Sequence, residues 1–315
     1  MKYKILKLEF STAVHFGRGG LEKSQNVLSA DTIFSALFIE ALKYDLSDVM
    51  LDLFKKGKVK ISNAFPYIKD EYYVPKPIIQ LKKDSEGDSI IKKALKKLKY
   101  IPLSKFRDFI EGNLDIKQEE DTFSNNFGDF LLVEKVSMQS AKEDEVNNLY
   151  AMEVFKYKKG SGLYFFVGFE EEKDFEVLNK LIISLSYTGV GGKVSSGYGK
   201  FKPEIITPSE DVIKKLENKE SYKQYMSLSI CLPKEEELEK SLDKASYIIV
   251  KRSGFIASSS YANTFRKKKD IYMLEAGSVY INEFTGDIYD VSERDKNIGT
   301  HPVYRYGIPF FMGVK

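Results

Sequence analysis

The sequence has one cysteine, two histidines and no tryptophan among its 315 residues. The single cysteine, Cys231, excludes a disulfide within the chain and a cysteine-based zinc cluster. Two histidines as far apart as His15 and His301 do not have the spacing of metal ligands. We therefore predict neither a metal site nor a cofactor; carboxylates brought together by the fold are the alternative, as ligands for magnesium.

Long apolar runs and a strong net charge are also lacking. No stretch reaches the ~18 apolar residues that a membrane helix needs, and the first residues lack the apolar core of a signal peptide. These absences predict a cytoplasmic protein with no membrane partner. The formal net charge is only +3, so a polyanion would have to bind at local basic patches.

Glycine is abundant in one place. Residues 189–201 read Gly-Val-Gly-Gly-Lys-Val-Ser-Ser-Gly-Tyr-Gly-Lys-Phe. Glycine adopts positive φ without strain, and successive amides in such a loop can form a concave nest for an anion. Lys193, Ser195 and Ser196 add donors for phosphate, and Tyr198 adds a ring on which a base can stack. The alternative interpretation is a flexible turn that binds nothing.

The first two thirds of the chain have the patterns of a mixed α and β domain. Alternating, aromatic and β-branched segments predict strands over 3–10, 59–65, 149–155, 162–169 and 201–207. Apolar residues at helical spacing predict two helices: 29–44, capped by Ser29 or Asp31, and 175–185. The third and fourth strands follow each other closely and predict a hairpin. This order fits a ferredoxin-like (RRM-like) domain over 1–208 with an insertion at about 75–137.

A second, degenerate copy of this unit is predicted over 222–315. Its strands are expected at 226–232, 245–251, 271–274 and 278–281. A helix is expected to begin near Pro233, where three glutamates follow at the favourable end of the helix dipole. The predicted fold class is therefore α+β, with two ferredoxin-like domains and an insertion in the first.

Two lysine-rich segments allow two interpretations each. The first is a basic amphipathic helix over 90–98, and the second is the run 267–269 in a loop. Each is either a solvated charged surface or a contact with an RNA backbone, and for the helix an acidic neighbour is a further possible contact.

The glycine-rich loop, placed after the second helix, resembles that of the RAMP superfamily of CRISPR proteins. Four further segments narrow the resemblance to the fourth Csm subunit of type III-A effector complexes: 15–17, 29–37, 251–255 and 301–307. The resemblance extends from the first strand to the last residues, and 75–137 is its least recognisable part.

This resemblance implies a non-catalytic subunit that binds the five-prime repeat handle of crRNA in antiviral defence. It implies contacts with a large Cas-ten-type subunit and a Csm-three-type backbone subunit, and only an indirect relation to target RNA. It also implies a β-hairpin thumb, expected within 75–137, that wedges the crRNA where handle meets guide.

Loop chemistry and the resemblance together predict three groups of RNA-binding residues. Main-chain amides, short hydroxyls and cations would take phosphates, and aromatic rings would stack on bases. The three groups are His15, Phe16, Gly17 and Arg18; Gly191, Gly192, Lys193, Ser195, Ser196, Gly197, Tyr198, Gly199 and Lys200; and Arg252, Ser253, Gly254, Phe255 and Arg305.

Two other functions stay open. A RAMP endoribonuclease that cuts repeat RNA without metal needs a base near the 2′-hydroxyl, for which His15 is the candidate. A histidine in a turn at a strand end more often has a structural role, held by hydrogen bonds. In the third interpretation the chain is an interaction scaffold, and the glycine-rich loop contacts protein.

Overall fold

The computed structural model describes residues 1–17, 19–79, 89–137, 148–217, 222–258, 261–264, 266–293 and 299–314. At 89–92, 137 and 148 only the backbone is described. Helices and strands are mixed along the chain, which confirms the α+β class. Arg18 lies outside the described residues.

The strands are β1 (Lys2–Phe10), β2 (Phe16–Gly17), β3 (Ser24–Gln25), β4 (Val59–Ile61), β5 (Phe65–Ile68), β6 (Glu71–Pro75), β7 (Tyr100–Pro102), β8 (Gly128–Ser137), β9 (Asn148–Tyr157), β10 (Ser161–Phe169), β11 (Phe201–Ile206), β12 (Tyr225–Ser227), β13 (Ile249–Arg252), β14 (Ile271–Leu274), β15 (Val279–Tyr280), β16 (Ile288–Asp290), β17 (Tyr304–Tyr306) and β18 (Phe311–Gly313). The α-helices are α1 (Ala30–Lys43), α2 (Ser47–Lys55), α3 (Ser89–Lys97), α4 (Phe106–Glu111), α5 (Ile116–Phe127), α6 (Glu172–Thr188), α7 (Glu210–Glu217) and α8 (Leu238–Leu242). None of these helices is long and apolar enough to cross a membrane.

A seven-stranded sheet organises the N-terminal half of the described chain. Its order is β11-β1-β10-β5-β6-β7, and β4 also pairs with β10. The pairs that join these strands are antiparallel. β10 is buried along its whole length, because its residues are apolar toward both faces and only a central strand covers both. The predicted helices 29–44 and 175–185 correspond to α1 and α6, and the predicted strand 3–10 corresponds to β1.

The hairpin predicted from 149–155 and 162–169 is wrong in its pairing. β9 pairs with β8, from Gly128 opposite Tyr157 to Ser137 opposite Asn148, whereas β10 pairs with β1, β4 and β5. Both segments do form strands, because local composition sets the strand tendency. The partner is set by burial, and β10 belongs in the middle of the sheet.

The C-terminal half packs on both faces of the main sheet. Neighbouring residues of β10 point to opposite faces, and each face has its own apolar cluster. On one face, the ring of Tyr306 lies 5.7 Å from that of Phe34 in α1. On the other face, the ring of Phe310 stacks 6.0 Å from that of Phe166 in β10. The two halves therefore share their cores.

Three of the four strands predicted in the C-terminal half are shorter than predicted. β12 ends early because Ser227 Oγ donates to the Ser229 carbonyl at 2.7 Å, and Ser229 Oγ donates to the Ile308 carbonyl at 2.9 Å. Such local bonds compete with a strand ladder. The prediction of 271–274 is confirmed as β14, but β14 pairs with β13 while β15 pairs with β12. The helix near Pro233 is reduced to a 3-10 turn followed by the single turn of α8.

The segment 75–137 folds against the edge of the main sheet. It contains α3, α4 and α5, and β7 adds to the edge by pairing with β6. It ends in β8, whose partner β9 lies beyond residue 137. The hairpin β8–β9 therefore extends beyond the predicted end of the insertion. Residues 138–147, between its strands in sequence, lie outside the described residues.

Candidate nucleic-acid interface

The glycine-rich loop runs from the end of α6 to the start of β11. Its path requires positive φ and close approaches between backbones. A Cβ atom at Gly199 would lie 2.1 Å from the carbonyl oxygen of Val190, and one at Gly191 would lie 2.7 Å from that of His15. Because glycine alone permits such contacts, the composition of the loop follows from its path.

Hydrogen bonds within the protein hold the loop against the turn that follows β1. The Gly192 amide donates to the His15 carbonyl at 2.8 Å, and the Gly199 amide donates to the Ala13 carbonyl at 3.0 Å. Three more amides donate to carbonyls of the loop itself: those of Val190, Ser196 and Gly197. These five donors are occupied within the protein. The predicted phosphate contact of the main chain is therefore restricted to the other amides of the loop, and it stays a prediction.

Side chains of the loop meet the hairpin β8–β9. The ammonium of Lys135 lies 4.4 Å from the ring centroid of Tyr198, and the ammonium of Lys193 lies 5.0 Å from that of Tyr150. Lys135 and Tyr150 are opposite each other in the hairpin, so each cation–π pair joins the hairpin to the loop. We call Lys135, Tyr150, Lys193 and Tyr198, with the exposed Ser195, the loop–hairpin surface.

His15 supports the loop from the protein interior. The residue is 4% exposed, and its Nδ1 lies 2.7 Å from the carbonyl oxygen of Glu153. Because a carbonyl oxygen only accepts, Nδ1 carries the hydrogen of this bond. The ring also fills the space beside Gly192, where a Cβ atom would lie 2.8 Å from Cδ2. The structure thus gives His15 a packing and hydrogen-bonding role.

A second group of cations surrounds Asp31, at the start of α1. Asp31 is fully buried. Arg252 donates to its two carboxylate oxygens from Nε and Nη2, at 2.9 Å each, and Arg305 donates to it from Nη1. Arg252 Nη2 also reaches Ser29 Oγ at 2.9 Å and Thr32 Oγ1 at 3.1 Å. We call Asp31, Arg252 and Arg305 the Asp31 cluster.

The charges of this cluster stabilise one another. Burial by itself would raise the pKa of Asp31, but Arg252 and Arg305 outweigh it and hold that pKa below its ordinary value. Ionised Asp31 therefore joins α1 to two arginines of the C-terminal half. Arg305 is 5% exposed, so its guanidinium serves Asp31 inside the protein, and its contact with RNA stays a prediction.

A cavity of about 310 Å³ lies beside the glycine-rich loop and the start of α1. Its lining includes Phe16 and Gly17 after β1, Gly191 and Gly192 of the loop, and Arg252 of the Asp31 cluster. Three stretches that the sequence predicted as RNA-binding therefore meet at one place.

Other predicted residues lie outside this lining. Phe255 is 61% exposed, with the ammonium of Lys267 5.7 Å from its ring centroid. Ser253, Gly254 and Lys200 are also exposed. In the part of the chain that the structure describes, no three His, Cys, Asp or Glu side chains form a group that could hold a metal ion.

Sequence reasoning missed Lys135 and Tyr150, and it considered Asp31 only as a helix cap. The segment 128–137 contains the short apolar run 130–133, which is a strand signal that could have found the hairpin. Nothing local indicates that a cap residue meets arginines 221 and 274 residues further along the chain.

Known proteins are similar to this chain along its whole length. A family model of the CRISPR Csm4 C-terminal domain matches residues 220–314. The CRISPR system Cms protein Csm4 of Mycobacterium tuberculosis is 32% identical over 320 residues, which cover 100% of this chain and 98% of the relative. Its counterpart in Streptococcus thermophilus is 32% identical over 319 residues, covering 99% of both chains.

Solved structures share the fold. A chain of the Csm3–Csm4 subcomplex in the type III-A CRISPR–Cas interference complex matches with a TM-score of 0.67 at 20% identity, and both chains are covered completely. A chain of a Csm1–Csm4 cassette in complex with cA4 matches with a TM-score of 0.60 at 19% identity, covering 100% of this chain and 98% of that one. The fold is thus that of a subunit of type III CRISPR–Cas complexes. The two relatives that match over nearly their whole length also identify the family: the chain belongs to the Csm4 family.

Proposed function

We propose that this chain is the non-catalytic subunit of a type III-A Csm effector complex that binds the five-prime repeat handle of crRNA. In that complex it bridges a large Cas-ten-type subunit to a Csm-three-type backbone subunit, and it meets target RNA only indirectly. The Csm3–Csm4 subcomplex and the Csm1–Csm4 cassettes among its structural neighbours support the two protein contacts. The complex would act in the cytoplasm.

The observation that carries the RNA contact is the loop–hairpin surface. Two ammonium groups and two tyrosine rings lie beside each other there, next to an exposed hydroxyl. Single-stranded RNA is bound by phosphate contacts and by stacking of bases on aromatic rings, and this surface offers both. A cation–π pair near the surface contributes only about 0.5–1 kcal/mol. Little free energy is therefore lost when the lysines leave the rings and contact phosphates, and bases can then stack on the rings.

The hairpin β8–β9 is the candidate for the thumb of the RAMP proteins. It consists of two antiparallel strands of ten residues each, which carry Lys135 and Tyr150 of the loop–hairpin surface. The sheet order β11-β1-β10-β4, with α1 packed beside α6, supports a ferredoxin-like domain over 1–208. We propose the degenerate second copy over 222–315 on the order of its strands.

The surroundings of His15 favour binding over cleavage. A general base must reach the 2′-hydroxyl of the RNA, whereas His15 is buried and its Nδ1 is bonded to a carbonyl. The other histidine, His301, has Nε2 2.9 Å from Ser258 Oγ and lies in the C-terminal half. We therefore assign no catalytic residue.

The test is crRNA binding by the assembled complex that carries Lys193→Met with Tyr198→Ala. Base stacking contributes about 1–3 kcal/mol, and a contact to a charged group about 1.5–3 kcal/mol. We expect the dissociation constant to rise at least tenfold. The dependence of log affinity on log salt should lose about 0.7 from its slope.

A matched control replaces one lysine and one tyrosine on α6, by Lys180→Met with Tyr187→Ala; both side chains are exposed. Affinity and salt slope equal to those of this control would refute the RNA contact. Ultraviolet crosslinking of the unaltered complex adds a second readout. Crosslinks from 189–200 to protein alone would favour the scaffold function.

A further inference from the structure

The two sides of the loop–hairpin surface belong to separate parts of the chain. Lys135 and Tyr150 lie on the hairpin β8–β9, whereas Lys193 and Tyr198 lie on the glycine-rich loop. The two cation–π pairs between them are weak contacts near the surface. Because such contacts exchange partners easily, the spacing between the two sides has to be fixed by other residues.

His15 is bonded to both sides. Its main-chain carbonyl accepts the amide of Gly192 at 2.8 Å, and its Nδ1 donates to the carbonyl of Glu153 at 2.7 Å. Gly192 directly precedes Lys193 of the loop. Glu153 lies in the same strand as Tyr150 of the hairpin, about 10 Å along it. One residue therefore connects a point beside the cation of the loop to a point near the ring of the hairpin.

Glu153 attaches the hairpin to the turn that follows β1. Its amide donates to the carbonyl of Leu21 at 2.9 Å, and its Oε2 accepts the amide of Ser24 at 2.7 Å. The Ser24 hydroxyl in turn accepts the amide of Phe16 at 3.0 Å. The N–H, the C=O and the carboxylate of Glu153 are thus each bonded to the segment 15–24.

Close packing keeps the imidazole of His15 in place. The residue is 4% exposed. A Cβ atom at Gly192 would lie 2.8 Å from its Cδ2, and one at Gly17 would lie 3.1 Å from its Nε2. The hairpin, by contrast, becomes exposed beyond Glu153: Met152 is buried, whereas Leu149 is 75% exposed. The pair His15–Glu153 therefore lies where the hairpin leaves the body of the protein.

We propose that His15 and Glu153 are positioning residues that couple the hairpin β8–β9 to the glycine-rich loop and fix the spacing between the two sides of the loop–hairpin surface. The inference rests on the proposed function and adds the residues that hold the surface in shape. In this role neither residue contacts RNA, because the His15 side chain is buried and the Glu153 carboxylate is bonded to Ser24. A surface that is already spaced for its ligand loses less conformational entropy on binding.

The first test compares His15→Phe with His15→Asn in the assembled complex. Phenylalanine keeps a ring but removes the donor, whereas the asparagine amide places a donor close to the position of Nδ1. Affinity for crRNA should fall about tenfold in H15F and stay within about threefold of the unaltered complex in H15N. His301→Phe is the control, since its Nε2 also has a hydroxyl partner, Ser258 Oγ at 2.9 Å; it should keep the affinity. Equal losses in H15F and H15N would mean that the bond to Glu153 couples nothing.

The second test measures the position of the hairpin directly. Leu149→Cys and Lys180→Cys, both at exposed positions, place spin labels on the hairpin and on α6, and the buried Cys231 stays unlabelled. Electron–electron double resonance should give a narrow distance distribution for the chain with His15 and Glu153 unaltered, and a clearly broader one with H15F or Glu153→Leu. Glu134→Leu, at an exposed glutamate of β8, should leave it narrow.

The outcomes separate this inference from the proposed function. A lower melting temperature with an unaltered distance distribution would make both residues merely structural, and it would overturn the inference while the proposed function stands. A broader distribution with unaltered RNA affinity would also overturn it, because the spacing would not matter for binding. If the complex with Lys193→Met and Tyr198→Ala binds RNA as its control does, the proposed function fails, and the role of the two residues in RNA binding fails with it.

Discussion

The chain holds its cations in two contrasting ways. On the loop–hairpin surface, Lys135 and Lys193 lie over half-buried tyrosine rings. In the Asp31 cluster, Arg252 and Arg305 are bonded to a fully buried carboxylate. The first kind of contact contributes about 0.5–1 kcal/mol, whereas breaking a buried ion pair costs about 3–5 kcal/mol. The cations of the loop–hairpin surface can exchange partners, whereas those of the Asp31 cluster are fixed by their buried carboxylate.

The position of the buried group explains why it is fixed. Asp31 belongs to the N-terminal half, and its arginines belong to the C-terminal half. The same junction is bridged by Asn63, whose Oδ1 accepts the amides of Ala30 at 2.8 Å and Ile230 at 2.9 Å. Because the strands of the C-terminal half are short, its place depends on such contacts with the main sheet.

The largest expected effect is that of Asp31→Asn. The amide keeps the shape of the side chain but leaves the buried Arg305 and the half-buried Arg252 without a counter-ion. We therefore expect a loss of about 3–5 kcal/mol in the free energy of unfolding. Urea denaturation of the 315-residue chain measures this loss of stability. Asp48→Asn is the control, since Asp48 also lies in the first turn of a helix but is exposed. A loss below about 1 kcal/mol for D31N would remove the contrast between the two groups.

The stability that the Asp31 carboxylate contributes should depend on pH. A group whose pKa is lowered in the folded state contributes stability above its unfolded pKa, about 3.9 for Asp, and loses that contribution as the pH falls. Burial acts to raise the pKa of Asp31, but Arg252 and Arg305 oppose it, and the pKa is lowered overall. The stability gap between the unaltered chain and D31N should therefore be constant near neutral pH and narrow below about pH 4. A gap that does not narrow would mean that Asp31 is not ionised in the folded protein.

A smaller effect is expected for Arg252→Lys. An ammonium keeps the charge but loses the fork that reaches Asp31, Ser29 and Thr32 together. We expect about 1–3 kcal/mol lower stability in urea denaturation. The neighbouring Lys251→Arg is the control, because Lys251 is exposed and pairs with Asp270 at the surface. Equal effects of the two substitutions would show that charge alone, without geometry, holds the cluster.

The sequence predicted those parts of the fold that depend on local patterns. β1, β11, α1 and α6 lie close to their predicted bounds, because alternation and helical spacing act over a few residues. The pairing of β9 was mispredicted, because strand partners are chosen by burial across the whole sheet.

The candidate site likewise has a part that the sequence predicted and a part that it did not. The composition of the glycine-rich loop follows from its own backbone path, so sequence alone located it. Lys135 comes to Tyr198 only through the hairpin β8–β9, and Asp31 meets Arg305 across 274 positions of sequence. No periodicity or composition encodes such contacts, since they exist only after the halves have packed.

The smallest expected effect tests the surface side of the contrast. Lys135→Gln keeps a polar side chain of similar length but removes the cation over Tyr198. We expect the amides of β8 to open more easily by about 0.5–1 kcal/mol, which is about a two- to fivefold faster hydrogen exchange. Lys156→Gln, at an exposed position of β9, should leave the exchange unchanged. Faster exchange in both variants would assign the effect to net charge. A change of more than tenfold in K135Q alone would mean that the hairpin is bound to the loop too firmly for Lys135 to move to a phosphate. The contrast between the loop–hairpin surface and the Asp31 cluster would then be lost.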